Sequence, residues 1–328
     1  MPTPIAVDGL DIQIIVDNVT DNLSSTPAFV ETETAALSRR RRGAWVLDGD
    51  CLCCAAHGLS CLVTLRRGDE TRTVLFDSGP EDRVFEQNVS RLGIDIAPVE
   101  AIVLSHGHWD HAGGMLRALQ MIRDRNGGKT VAYYAHPEMF RSRAARLADG
   151  AIRPMKDVPS IAALEANGAS VVSSREPQAL IDGLAVVSGE IARVTPYETG
   201  LPGQVRRTLD GTGWEPDELL MDERSLAFNV AGKGLVVLSA CSHAGIVNVL
   251  THARKMMPDV PLYAALGGLH LSGTNERIIP ETVEALRGFG LTVLGAGHCT
   301  GWRAMTALAN AFGDKVLAPL AVGKRFRF

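Results

Sequence analysis

Short apolar runs alternate with segments of helical period along most of this chain, a pattern that reads as strands with helices packed over them. The first run covers residues 12–16 (I-Q-I-I-V) and stops at Asp17-Asn18. Residues 59–65 and 73–76, joined by Arg67-Gly68-Asp69-Glu70, have the pattern of a β-hairpin. A helix is predicted over 83–92, a buried strand over 99–104, and a further strand over 130–135 that ends at His136-Pro137. After 104, apolar Met115, Leu116, Leu119 and Ile122 share one helical face. Further strands are predicted at 184–191, 226–230, 235–239, 262–266 and 292–294, and helices at 160–167 and 281–289. Residues 20–43 and 200–222 lack periodicity and read as loop. Residues 141–180 are richer in Arg, Ala and Pro, and read as an insertion or lid within one 1–328 domain.

Between the strand at 99–104 and the helix after it lies Ser105-His106-Gly107-His108-Trp109-Asp110-His111-Ala112-Gly113-Gly114. Side chains alternate in an extended segment, so His106 and His108 point the same way. Asp110 and His111 follow where the chain turns, and Gly113-Gly114 permit backbone angles that other residues resist. Alternating imidazoles with a carboxylate and a third imidazole suit a two-metal site for borderline-soft cations such as zinc.

Composition narrows the classes. The 328 residues are 46% hydrophobic and 21% charged, an ordinary soluble make-up that can bury a large core. A net charge of -4 gives no basic character that would argue for nucleic acid. Neither an export signal nor an apolar run long enough for a membrane span is visible, so the expectation is a cytoplasmic protein. Six cysteines in a chain this long do not make a disulfide framework. Cys51, Cys53, Cys54 and Cys61 lack the spacing of paired zinc knuckles and read as packed thiols. The run Arg39–Arg42 reads as a solvated segment, with a lid for an anionic substrate as the sharper alternative.

The motif H-x-H-x-D-H after a strand resembles the signature of the metallo-β-lactamase superfamily. That resemblance implies an α/β fold, a four-layer αββα sandwich with one or two metal ions at one edge. It implies a supporting role for Asp77 in Phe76-Asp77-Ser78-Gly79, since ligating histidines need an acceptor for their other ring nitrogen. His136 belongs by the same likeness to the packing around the site. Many relatives carry a third histidine near residue 190; here Glu190 is the nearest ligand-type residue, so either Glu190 substitutes or the imidazole comes from elsewhere. Where relatives place a bridging aspartate, this chain has Cys241, with His243 two residues on. His298, in Gly297-His298, matches the usual last ligand of the second metal site. His270 also ends a strand on that edge and reads as a proton donor or substrate contact.

Together S-H-G-H-W-D-H-A-G-G, C-S-H-A-G-I-V-N, G-G-L-H-L and G-H-C-T-G resemble a narrower branch, metal-dependent hydrolases related to dihydropterin-ribofuranosylaminobenzene phosphate synthases. H-G-L-S at 57–60 and S-G-E-I-A-R at 188–193 share that likeness. The reading is a metallo-hydrolase in which His106, His108, Asp110, His111, His243 and His298 hold Zn2+, with Mn2+ or Fe as alternatives. Its substrate is a small-molecule ester, lactone, amide or phosphoester, Asp110 and His270 assist the chemistry, and a homo-oligomer stays open. The alternatives are a synthase joining a pterin-methyl diphosphate to an arylamine, an iron-dependent redox enzyme, and a non-catalytic binding module.

Overall fold

The computed structural model describes residues 2–41 and 45–328; Arg42, the last of the arginine run, lies outside them. Two sheets stack face to face. The eight-stranded first sheet runs, from edge to edge, Ala169–Ser173, Val131–Ala135, Val99–Val103, Glu70–Phe76, Ser60–Arg67, Gly9–Val16, Arg325–Arg327 and Val30–Glu31. The seven-stranded second sheet runs Gln178–Leu180, Ala185–Val187, Ser225–Val230, Gly234–Ser239, Leu262–Gly268 and Val293–Gly297, with Ala6–Val7 paired to Ser225–Val230.

Three apolar layers hold this arrangement together. Ile12, Val63, Phe76 and Val103 face Val187, Phe228, Val236 and Leu266 between the sheets. The alternate residues Leu75, Ile102 and Tyr133 pack outward onto Phe85, Val89, Leu119 and Ile122, from the helices Asp82–Leu92 and Met115–Arg125. On the opposite side Leu235, Val237 and Ala265 meet Val249, Leu250, Leu286 and Leu308, from the helices Ile246–Met256, Ile279–Arg287 and Trp302–Val316. The result is the αββα sandwich. Sheets covered on both faces explain why their strands read as near-continuous apolar runs rather than clean alternations.

Parallel pairing sets where the chemistry falls. Glu70–Phe76 and Val99–Val103 are parallel, as are Gly234–Ser239, Leu262–Gly268 and Val293–Gly297. Their carboxyl ends therefore open at the same edge, where open α/β sheets commonly bind ligands. Asp77, the 105–111 loop, Cys241, His270 and His298 all follow directly from those ends.

The sequence reading and the structure differ in several elements. Residues 200–222 are not all loop: Gln204–Arg207 and Trp214–Pro216 pair with Arg143–Arg146 and Ile152–Pro154 in a separate four-stranded sheet. Residues 20–43 include the strand Val30–Glu31 and the helix Glu33–Arg40, capped by Thr32. The run predicted as a strand over 184–191 is extended only at Ala185–Val187. Arg39 pairs with Glu31, and Arg40 donates to the carbonyl of Arg91.

Candidate metal centre

The histidine loop is shaped by Asp77. This residue adopts φ 57°, in the left-handed region, at the end of its strand. From there its Oδ1 accepts from Ser105 N at 2.7 Å, and its Oδ2 faces Ser105 Oγ and His111 Nδ1, each at 2.7 Å. Ser78 clasps the far side of the loop through the carbonyl of His111. A Cβ at Gly113 would lie 1.7 Å from the carbonyl oxygen of Pro80, so only glycine lets the two turns approach this closely. Ser242, His270 and His298 also have positive φ, of 59°, 42° and 48°. Such strain costs on the order of 1–3 kcal/mol per residue, and with Asp77 it gathers at this one edge.

The surrounding hydrogen bonds decide which nitrogen of His111, His106 and His298 carries its proton. Asp77 takes the Nδ1–H of His111, which turns Nε2 of that ring toward the centre. Ser105 Oγ donates to Asp77 and accepts at 2.9 Å from His106 Nδ1, which frees His106 Nε2. Asn18 Oδ1 lies 3.0 Å from His298 Nδ1 and frees Nε2 there, a buried atom that has no partner of its own. His106 Nε2 then sits 3.0 Å from His108 Nδ1 and 3.2 Å from His243 Nε2. Three ring nitrogens converge here, near the ~3.3 Å nitrogen spacing around a tetrahedral zinc ion with ~2.0 Å bonds. Burial, with the neighbouring imidazoles adding to it, holds His106 well below the usual histidine pKa. Burial does the same first of all for His108, His243 and His298. Neutral, converging imidazoles fit a cation.

A second convergence lies beside the first. Asp110 Oδ2 stands 3.6 Å from both His111 Nε2 and His298 Nε2, and Cys241 Sγ is 3.2 Å from His111 Nε2. Metal-type groupings thus comprise His106–His108–His243, Asp110–His111–His298, and Cys241 with either His106 and His111 or His298 and Cys299. Burial opposes the His111 cation, but Asp110 and Asp77 outweigh it and raise its pKa. A metal at this position would therefore displace a proton. Burial, and then the neighbouring Cys299 at 3.4 Å, push the Cys241 thiol well above its ordinary value. A bound cation would reverse that preference.

The loop histidines, Asp110, Cys241, His243 and His298 are thus brought together, with Asp77 directly behind them. Glu190 is not among them: it pairs with Arg175 at 2.8 Å and with His136 Nε2 at 3.0 Å. The nitrogen that completes the first convergence comes from His243, off the turn after Gly234–Ser239. Two backbone N–H bonds to Glu223, both 2.6 Å, hold that turn. His270 packs its ring 4.2 Å from that of His243 and lines the cavity. The cavity is about 360 Å³ and also takes in Trp109, Met155, Leu201, Asn18 and His57. All six cysteines are free, and Cys51, Cys53, Cys54 and Cys61 belong to no metal-type grouping among the described residues.

Four residues beside the site were given no role there from the sequence. Asn18, His57 and Cys299 border it, and Gln204 reaches His108 Nε2 at 3.2 Å from the small sheet. With Nδ1 turned to a cation shared with the other rings, His108 would carry its proton on Nε2. Turning the Gln204 amide over lets Oε1, otherwise buried without a partner, accept that proton. Gln204→Leu is expected to weaken metal affinity roughly 10- to 100-fold, as loss of an outer hydrogen-bond partner does. Competition with a chromophoric chelator measures this; unchanged affinity would show that Gln204 does not orient the ring.

A family model described as the metallo-β-lactamase superfamily matches residues 58–206. A 7,8-dihydropterin-6-methyl-4-(beta-D-ribofuranosyl)-aminobenzene-5'-phosphate synthase from Methanocaldococcus jannaschii is 30% identical over 277 residues, spanning 83% of this chain and 90% of that protein. An uncharacterized protein of the same organism is 28% identical over 256 residues, spanning 78% of this chain and 88% of its own. A solved metal-dependent hydrolase of the β-lactamase superfamily superposes with a TM-score of 0.69 at 22% identity. That alignment covers 97% of this chain and 98% of the other, and bears on the fold.

Proposed function

This chain belongs to the metallo-β-lactamase superfamily and has the fold of its metal-dependent hydrolases, and we propose that it turns that fold to bond formation. The reaction is the coupling of a pterin-methyl diphosphate to an arylamine. The amine lone pair forms the new C–N bond at the exocyclic methylene carbon that carries the diphosphate, the bond from that carbon to the diphosphate oxygen breaks, and the amine releases a proton. The single observation behind this reading is the synthase relative, matched at 30% identity along 90% of its length, so that its whole fold and not one motif is shared.

The site residues suit such a role. In this reading His106, His108 and His243 would hold one zinc ion, and Asp110, His111 and His298, with Cys241, would hold a second. Bound cations supply positive charge for the oxygens of the departing diphosphate. Trp109 offers a flat apolar face to a planar ring, and a cavity of about 360 Å³ is within the range for small-molecule sites. Met155, from the segment between Arg143–Arg146 and Ile161–Ala166, and Leu201 add apolar surface to the cavity wall. Asp110 lies where it can accept the amine proton, and His270 faces the substrate. Six free thiols suit a reducing compartment. No helix among the described residues is long and apolar enough to cross a membrane.

The test is to incubate zinc-loaded protein with a pterin-methyl diphosphate and an aminobenzene, following coupled product and diphosphate together. Equal amounts of both are expected. Diphosphate released without coupled product would assign hydrolysis instead, and release of neither would sink both readings.

A further inference from the structure

We propose that His57 is a fixed hydrogen-bond donor for an anionic oxygen of the substrate, set in that role by Asn18. The identity of the oxygen, on the departing diphosphate, rests on the function proposed above; the orientation of the ring does not.

The argument starts from backbone groups that have no choice of role. The Gly58 N–H can only donate, and it meets Asn18 Oδ1 at 3.1 Å. The His298 carbonyl can only accept, and it meets Asn18 Nδ2 at 3.2 Å. Both ends of the amide are thereby assigned. Nδ2 is also 3.2 Å from His57 Nδ1, so that nitrogen must accept. A neutral imidazole carries one proton, which leaves it on Nε2. Asn18 Oδ1 meanwhile takes the Nδ1–H of His298 at 3.0 Å. One amide thus sorts two neighbouring rings into opposite parts. His298 shows the centre a lone pair, which suits a cation, and His57 shows the cavity an N–H, which suits an anion resting on that cation.

Placement agrees with this. The two rings lie 5.2 Å apart, and the His57 ring is 6.0 Å from that of Trp109 at the cavity wall. The His57 side chain is 60% exposed, so an incoming substrate can reach it. Its Nε2 stands 3.5 Å from Asp110 Oδ2, too far for a good hydrogen bond, so the donor is not used up on the carboxylate. Gly58 holds the ring close: its φ is 154°, and a Cβ there would lie 2.3 Å from the carbonyl oxygen of Asp110. The proton on Nε2 also denies the ring a lone pair on the cavity side, and His57 joins none of the metal-type groupings.

Nitrogen-15 spectra of zinc-loaded protein at mildly alkaline pH, where imidazole is neutral, test the orientation. Nε2 of His57 is expected to resonate as a protonated pyrrole-type nitrogen and Nδ1 as a bare pyridine-type one. Asn18→Asp, which places an acceptor at Nδ1, is expected to reverse the two. Calorimetry with inorganic pyrophosphate tests the role. His57→Ala is expected to bind it roughly 10- to 100-fold more weakly, the loss of one hydrogen bond to a charged group, with zinc content unchanged. A wild-type ring protonated on Nδ1 overturns the proposal, as does equal pyrophosphate affinity in His57→Ala or loss of zinc from it. A wild-type protein that binds no pyrophosphate overturns the anion named here together with the coupling reaction, while the spectra still report the tautomer on their own.

Discussion

Alanine in place of His243 is expected to empty the three-nitrogen half of the centre and lower turnover by about 10³-fold. Three neutral nitrogens, His106 Nε2, His108 Nδ1 and His243 Nε2, converge within 3.0–3.2 Å of one another along the contacts through His106. Removing one leaves two ligands for a cation that ordinarily takes at least three from protein. A metal's electrostatic stabilisation of a reacting group is worth several kcal/mol, and about 4 kcal/mol corresponds to the 10³-fold loss. The fold itself should survive, because His243 stands at a strand end and the sheet core does not depend on its ring. Steady-state turnover and zinc content measured on the same sample check this. Full zinc content with full activity would remove His243 from the centre.

Arg143→Leu is expected to be the most damaging substitution away from the imidazoles, at about 3–5 kcal/mol of folding stability. The guanidinium is buried, with Nε 2.9 Å from Asp217 Oδ2 and Nη2 2.9 Å from Asp222 Oδ2. Its Nη1 donates at 3.1 Å to the carbonyl of Gly107, between the first two loop histidines. Asp222 Oδ2 also accepts from Gly107 N at 2.9 Å, so the loop is held on both sides of one peptide. Leucine would leave buried Asp222 without its cation and Asp217 with only Arg206, at 3.4 Å, the case in which breaking a buried pair costs most. Arg143→Lys should recover only part, since a point charge cannot span three partners as a planar fork does. Denaturant unfolding midpoints give the stability change. A loss under 1 kcal/mol would mean that the small sheet and the loop are not coupled through this residue.

What the sequence made legible follows from how local each signal is. The 105–114 loop declares itself because its ligand types sit within one turn of one another, after a strand whose apolar run is unbroken. The strands buried on both faces were likewise readable. Gln204–Arg207 was not, because a short strand carrying two arginines has no alternation to distinguish it from a loop. Its Gln204 meets a histidine 96 positions away, and Asn18 meets His298 across 280 positions. No spacing in the sequence announces such pairs; they exist only once the two sheets stack and their carboxyl ends share an edge. Glu190 shows the converse. Its place in the chain suggested a ligand, yet Arg175 and His136 lie closer to it and take its charge.

The central claim is that this edge is a two-cation centre. Its most direct test is zinc per chain by elemental analysis, on protein stripped with chelator and then reconstituted with zinc. The account predicts close to two zinc ions per chain, with a higher thermal unfolding midpoint than the stripped protein, since a ligand bound only to the folded state stabilises it. No retained metal and an unchanged midpoint would contradict it.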